Sequence, residues 1–421
     1  MKLHNLLLAA SATMLFTVAA HADTTINITG SSAFRSAVVT AIKSTMTSVT
    51  KIAYTGTSET SANQQLYVGS FPGISGVTTI RTSWNGSVEG VRAFAGIDTV
   101  SFIPASAPAG GSYSTSSLEV GTPNFAFSDV FQDSTGVSNP VFDDTYVGIV
   151  SFTWVANEGA TFTNITTQVA NQILASGVIQ KNFFTGNAAD ATSKVYLTGR
   201  YNGSGTRATA LAEAGYPLFA NVRQYIVETT GANGTITGLR LWPNTTQGSI
   251  STGTNDATTG NGGYTSGSGI RDVIGCTMAE TVNLKKADGT AASPASISGN
   301  SVSVVSYLGI GDQTHVNAGG SVALRYNGVP YSIANVQNGF YTFWGVQHLF
   351  ATFSELSSDQ VTFYNAMTGY KDTNGRGAIA KALDSLGDSA PGVRLETMNV
   401  ARGNSDGSLV GPGTYEEPAA L

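Results

Sequence analysis

Cysteine is all but missing: the chain has 421 residues and one cysteine, Cys276. A single thiol excludes an intrachain disulfide framework and reads most simply as a small buried hydrophobe. Charge is scarce too, at 11% of residues with a net charge of −6, and a field of that sign does not suit nucleic acid. Of the four histidines, His4 and His21 stand near the N-terminus, and His315 and His348 have no neighbours at metal-ligand spacing. Neither a metal, nor another cofactor, nor a histidine-based catalytic site is therefore expected. Beyond the N-terminus no apolar run is long enough to cross a bilayer.

What is present begins with MKLHNLLLAASATMLFTVAAHA, where Lys2 precedes an apolar core and Ala20-His21-Ala22 supplies a small-x-small pattern. This is the form of a cleavable signal peptide covering residues 1–22, and it predicts a periplasmic or secreted protein. No cysteine lies at the cleavage point, so a lipid anchor is not expected. The rest of the chain is longer than one hydrophobic core usually organises, which predicts two lobes. A hydrophobic share of 41% argues against disorder.

Short apolar segments alternate with helical patterns. Thr25–Thr29 precedes a helix expected over Arg35 to Met46, Val195–Leu197 precedes one over Arg207 to Ala214, and another apolar run spans 302–308. The alternation predicts α/β layers. From Thr229 to Gly269 the sequence turns to Thr, Gly, Asn and Ser, relieved only by LeuArgLeuTrp at 239–242, and reads as a surface insertion or hairpin.

Several helix starts are rich in donors. In RYNGSGTRATALAEAG, from Arg200 to Gly215, the turn Gly203-Ser204-Gly205-Thr206 lies between a strand pattern and a helix pattern. There the first N–H groups lack partners, the helix dipole is positive, and glycine lets an anion approach the backbone. Arg200 adds a two-pronged cation. Simple capping by Thr206 explains this turn equally well. The arrangement recurs at Ser31 and Ser32 before the Arg35 helix, at Gly86 and Ser87, and again within Gly263 to Gly275. Together these starts favour one small oxyanion held at a cleft. Asp129, after the apolar segment at 125–128, would repel a bare anion but can accept a proton from one that carries it. Phosphate keeps a proton near neutral pH and sulfate does not. Capping of a turn is the alternative for Asp129.

These residues resemble the periplasmic phosphate-binding proteins of ABC transporters, within the type II periplasmic binding protein family. The landmarks run in order through most of the chain: GSSAF at 30–34, NGSVEG at 85–90, FAFSD at 125–129, VGIVSFTWVAN at 147–157, ITTQVANQILASGVIQKNFF at 165–184 and RYNGSGTR at 200–207. YTSGSGIRDVI and VSYLGIGD follow. The resemblance implies a two-lobed α/β fold, each lobe a mixed sheet flanked by helices, hinged between 23–148 with 331–421 and 149–330. It implies a non-enzymatic monomer that captures inorganic phosphate or a similar oxyanion for a membrane ABC permease. Ser31, Ser32, Phe34, Ser87, Asp129, Arg200, Ser204, Gly205 and Thr206 would be its phosphate contacts.

The chain departs from that pattern in places. Asn202 stands where the family commonly has an Asp beside the Arg, and Ala33 stands where a threonine is common. The segments 229–262 and 372–421 are longer than such a protein needs. Two other classes remain open. An exported adhesive or structural protein could keep the fold without binding phosphate, whereas a phosphate-ester hydrolase would need a metal cluster or activated nucleophile. The aromatics Trp154, Phe340, Tyr341, Phe343 and Trp344 read as core and lobe-crossing residues rather than a stacking box.

Overall fold

The computed structural model describes residues 23–232, 234–243, 262–313, 321–369, 376–387, 392–403, 411–413 and 415. The expected signal peptide, residues 1–22, lies outside the described residues, as do His315 and parts of the segments 229–262 and 372–421. The architecture is mixed α/β. One sheet of 12 strands runs in the order Ser48–Tyr54, Gln64–Ser70, Thr78–Ser83, Thr24–Gly30, Phe125–Ser128, Trp344–Ala351, Asp143–Ala156, Val302–Gly309, Lys194–Leu197, Val178–Gln180, with Val322–Ala323 and Gly392–Val393 also paired to Asp143–Ala156.

The strand Asp143–Ala156 ties the two ends of this sheet together. Its first part pairs antiparallel with Trp344–Ala351, ending at Trp344 opposite Ser151, and its last part pairs antiparallel with Val302–Gly309, from Phe152 opposite Gly309. From Val147 onward every residue is buried. Side chains are covered on both faces, which is why the sequence is apolar without alternation. At the handover Trp154 packs against Tyr307, centroids 5.2 Å apart, and Phe343 at 6.0 Å. Tyr341, Phe343 and Trp344 are buried as expected, but Phe340 is 68% exposed and leaves the group.

Parallel pairing brings strand ends together. Thr24–Gly30 is parallel to both Thr78–Ser83 and Phe125–Ser128, and Lys194–Leu197 is parallel to Val302–Gly309. In open α/β sheets ligands collect beyond the carboxyl ends of such strands. Ser31, Asp129 and Arg200 each follow within three residues of such an end.

Helices form where the patterns predict, with shifted limits. The first spans Arg35–Thr45 and buries Ala37, Val38, Ala41 and Ile42 along one stripe, with Lys43 in its last turn where the dipole favours a cation. The helix expected from Arg207 starts earlier, as Gly205–Glu213. Ser204 is its N-cap and accepts a hydrogen bond from Arg207 N at 3.4 Å, so Thr206 sits inside the first turn rather than capping it. LeuArgLeuTrp lies largely in the strand Thr235–Leu241, in a separate sheet ordered Tyr225–Thr229, Thr235–Leu241, Thr277–Lys285, Ala291–Ser298. Cys276 is fully buried in the core of that sheet.

Candidate functional site

The glycine ending the first strand sets the geometry. Gly30 has φ +117°, and a Cβ there would lie 1.9 Å from Phe127 O, so only glycine lets the chain turn across the neighbouring strand. Ser31 N then donates to Phe127 O at 2.8 Å. This puts the Ser31 hydroxyl beside Asp129: Ser31 Oγ donates to Asp129 Oδ2 at 3.4 Å and accepts from Phe34 N at 3.3 Å. The Phe34 ring is in the core, 6.5 Å from that of Phe127, so its backbone rather than its ring serves this turn.

Ser87 opens the helix Ser87–Phe94. Its hydroxyl donates to Asp129 Oδ1 and accepts from Asp129 N at 3.1 Å. The carboxylate is thus held on both oxygens by serines from two other segments, and it is 2% exposed. On its remaining side stands the other end of the sheet. A Cβ on Gly205 would fall 1.5 Å from Asp129 Oδ1 and 2.5 Å from Ser87 Oγ, so the first residue of the Gly205–Glu213 helix must be glycine for the carboxylate to lie against it.

Arg200 comes from the same side as Gly205 and is 1% exposed. Its guanidinium donates from Nε to Tyr264 O at 3.2 Å, and from Nη2 to Thr265 O at 2.9 Å and Ser32 Oγ at 3.3 Å. The fork is thereby locked in one orientation by neutral acceptors. Ser31, Ser32, Ser87, Asp129, Arg200 and Gly205 therefore converge through these contacts, with Ser204 the cap beside Gly205 and Thr206 buried in the adjoining first helical turn. Burial pushes the Asp129 carboxyl above the usual range, opposed by the Ser87 hydrogen bond and by Arg200. Burial also lowers the Arg200 pKa, opposed by Tyr201, Asp312 and Asp129.

Two charged neighbours escaped the sequence reading. Arg35 is 6% exposed, and Asp312, half-buried at the end of VSYLGIGD, is the carboxylate that acts on both Arg35 and Arg200. The usable signal for Arg35 was a cation at the first position of a helix, where the dipole opposes it. Asn202 is exposed and lines a neighbouring cavity of about 570 Å³ with Glu89, Arg92, Gly203, Arg207 and Phe219. None of Ser31, Ser32, Asp129, Arg200 or Gly205 lines that cavity. Between the two regions Glu89 N donates to Gly203 O at 3.1 Å, and Tyr201 Oη donates to Asn85 O and Glu89 Oε2.

The C-terminal segment reaches the far end of the same helix. Arg402 donates to Glu213 Oε2 at 2.8 Å, to Thr342 O at 2.7 Å and to Trp344 O at 3.0 Å, and its guanidinium lies 4.8 Å from the Trp344 ring centroid. Glu213 and Arg402 are both nearly buried, so the pair anchors the helix that begins at Gly205 to the strand Trp344–Ala351. His348 Nδ1 pairs with Asp144 Oδ1 at 2.9 Å. Among the described residues no group of three or more His, Cys, Asp or Glu side chains is placed to hold a metal, and no helix is long and apolar enough to cross a membrane.

No family model matches the chain, and no curated protein matches it. Among solved structures the chain is similar to a putative phosphate ABC transporter substrate-binding protein with bound phosphate from Clostridium perfringens, at 10% identity and TM-score 0.46 over 88% of this chain and 99% of that one. It is similar to an ABC-type phosphate transport receptor from Vibrio cholerae at 12% identity and TM-score 0.41, over 81% of this chain and 92% of that one. A possible phosphate-binding protein from Planctomyces limnophilus gives 12% identity and TM-score 0.41, over 86% of this chain and 92% of that one.

Proposed function

We propose, on the chemistry of the converging segments, that this is an extracytoplasmic solute-binding protein that captures inorganic phosphate between two lobes, 23–148 with 331–421 and 149–330. The observation that carries the reading is the Asp129 carboxylate, buried against a donor-rich helix start and under the influence of Arg200. A carboxylate in that place repels an anion without a proton and accepts a hydrogen bond from one that has it. Arg200 neutralises the ligand, and Ser32, Ser204 and Thr206 donate to its oxygens, joined by Ser87 when its hydroxyl turns from Asp129 to the ligand, with Gly205 letting them approach the helix start.

Because Ser31, Ser87 and Asp129 come from one lobe and Arg200 and the 203–206 turn from the other, ligand favours the closed state. The Tyr201 and Gly203 contacts to the 85–89 segment add to closure. Release to an ABC-type permease in the membrane then requires the lobes to part. The reading that the phosphate serves import follows the ordered sequence landmarks.

Thermal denaturation with added phosphate, arsenate or sulfate tests the proposal. Phosphate and arsenate, which both carry a proton near neutral pH, should raise the melting temperature, and sulfate should do so far less. No shift with any of them at millimolar concentration would instead favour an adhesive or structural role.

A further inference from the structure

Arg35 is a buried cation in an unfavourable place. It is the first residue of the Arg35–Thr45 helix, where the dipole opposes positive charge, and it directly follows the Ser31–Phe34 turn. Among the described residues its guanidinium has one hydrogen bond, to Asn63 Oδ1 at 3.3 Å, and no ion pair. Arg200 likewise makes no ion pair among the described residues, being held by Ser32 Oγ and two carbonyls. Thus two buried guanidiniums stand without a bonded carboxylate among the described residues: Arg200, bonded to Ser32 of the Ser31–Phe34 turn, and Arg35, on the helix that follows that turn. Burying a charge without close compensation is costly, and proteins retain such groups where a ligand supplies the opposite charge.

The groups that act on Arg35 are Asp312, which favours its charged form, Arg200 and Arg271, which oppose it, and Tyr67, the smallest influence, which favours it. Arg271 is engaged with Asp272 at 2.8 Å, and Tyr67 donates to Glu59 Oε1 at 3.1 Å. Asp312 is the one carboxylate acting on both buried arginines, from a position against the first residue of the Gly267–Ile274 helix.

We propose that Arg35 is a second cationic contact of the phosphate site, facing Arg200 across the cleft, so that the site selects the doubly charged form of the oxyanion. This rests on the phosphate reading above. Asp129 takes the one proton that form retains, and the two guanidiniums answer its two charges. Asp312 then serves as the carboxylate acting on Arg200 that the exposed amide of Asn202 does not provide.

Calorimetric titration of the unaltered protein, Arg35→Met and Arg35→Lys with inorganic phosphate, on both sides of its second ionisation, tests this. Above that ionisation Arg35→Met should weaken binding by more than about tenfold, and Arg35→Lys, which keeps the charge but loses the fork, by a smaller factor. The preference of the unaltered protein for the doubly charged form should shrink in Arg35→Met, while the melting temperature without ligand is unchanged or raised. A purely structural arginine gives the reverse: phosphate affinity in both variants within about twofold of the unaltered protein, with a lowered melting temperature in Arg35→Met. That result overturns the second contact alone. Failure of the unaltered protein to bind phosphate takes down the site reading and this inference together.

Discussion

Two helix starts in this protein look almost alike in sequence and differ in what surrounds them. Ser204-Gly205-Thr206 and Ser266-Gly267-Ser268 each follow a tyrosine and begin a helix, and in each the serine caps the third N–H, at 3.4 Å for Arg207 N and 3.2 Å for Gly269 N. In each a carboxylate presses on the glycine, Asp129 on Gly205 and Asp312 on Gly267. Asp129 arrives from the opposite end of the sheet, held on both oxygens by serines and sealed from solvent. Asp312 comes from the neighbouring strand end and is half-buried. Capping therefore explains both turns locally, and a long-range contact is what makes one of them a candidate site.

The largest contrast should come from the arginines near each start. Arg200→Ala removes a buried cation facing Asp129 and should weaken phosphate binding by about 2–5 kcal/mol. Arg271→Ala, which breaks a partly exposed pair with Asp272, should change stability by no more than about 1 kcal/mol and leave affinity alone. Titration of both variants beside the unaltered protein checks this, and equal losses would erase the distinction.

The glycines come next. At 205 a methyl group would meet a carboxylate that cannot swing into solvent, so Gly205→Ala should cost about 1–3 kcal/mol in stability and lose phosphate affinity. Gly267→Ala meets the Asp312 side chain, with Oδ2 1.8 Å and Cβ 3.3 Å from the new Cβ, and that half-buried side chain has solvent to turn toward. Denaturant melts should place it within about 1 kcal/mol of the unaltered protein.

Asp129→Asn sharpens the comparison through pH. Because burial raises the Asp129 pKa, the folded state binds a proton where the unfolded chain does not. The stability this group contributes is full below its unfolded value of about 3.9 and is lost as pH rises through the folded value. Without ligand, Asp129→Asn should therefore be more stable than the unaltered protein near neutral pH, with the gap closing on acidification. Serine hydroxyls can reverse their bonds to suit the amide. Melting curves across pH would contradict this if the variant were the less stable at neutral pH.

The smallest effects belong to the caps. Ser266→Ala and Ser204→Ala should each cost about 1 kcal/mol of stability, but only Ser204→Ala should also lower phosphate affinity.

Much of the site was legible because it is local. Gly30, Gly86 and Gly205 stand in the sequence beside the hydroxyls they position, and a helix pattern follows each. Asp129 stood out because its charge contradicts its setting. The N-cap was harder, since Ser204 and Thr206 both carry a suitable hydroxyl and differ by two positions. Arg35 and Asp312 were missed because nothing in either segment says that its charge will act on Arg200. The pair between Glu213 and Arg402 joins residues 189 positions apart and has no local signature at all. Reading the aromatics as one core group also misplaced Phe340, which the turn before Trp344–Ala351 carries to the surface.

The central claim is that Asp129 reads the proton on the ligand. It is tested most directly by titrating the unaltered protein and Asp129→Asn with phosphate and with sulfate at neutral pH. The account predicts strong phosphate binding and little sulfate binding for the unaltered protein, with the ratio narrowing by more than about tenfold in the variant as phosphate loses an acceptor and sulfate loses a repelling charge. An unchanged ratio would contradict it.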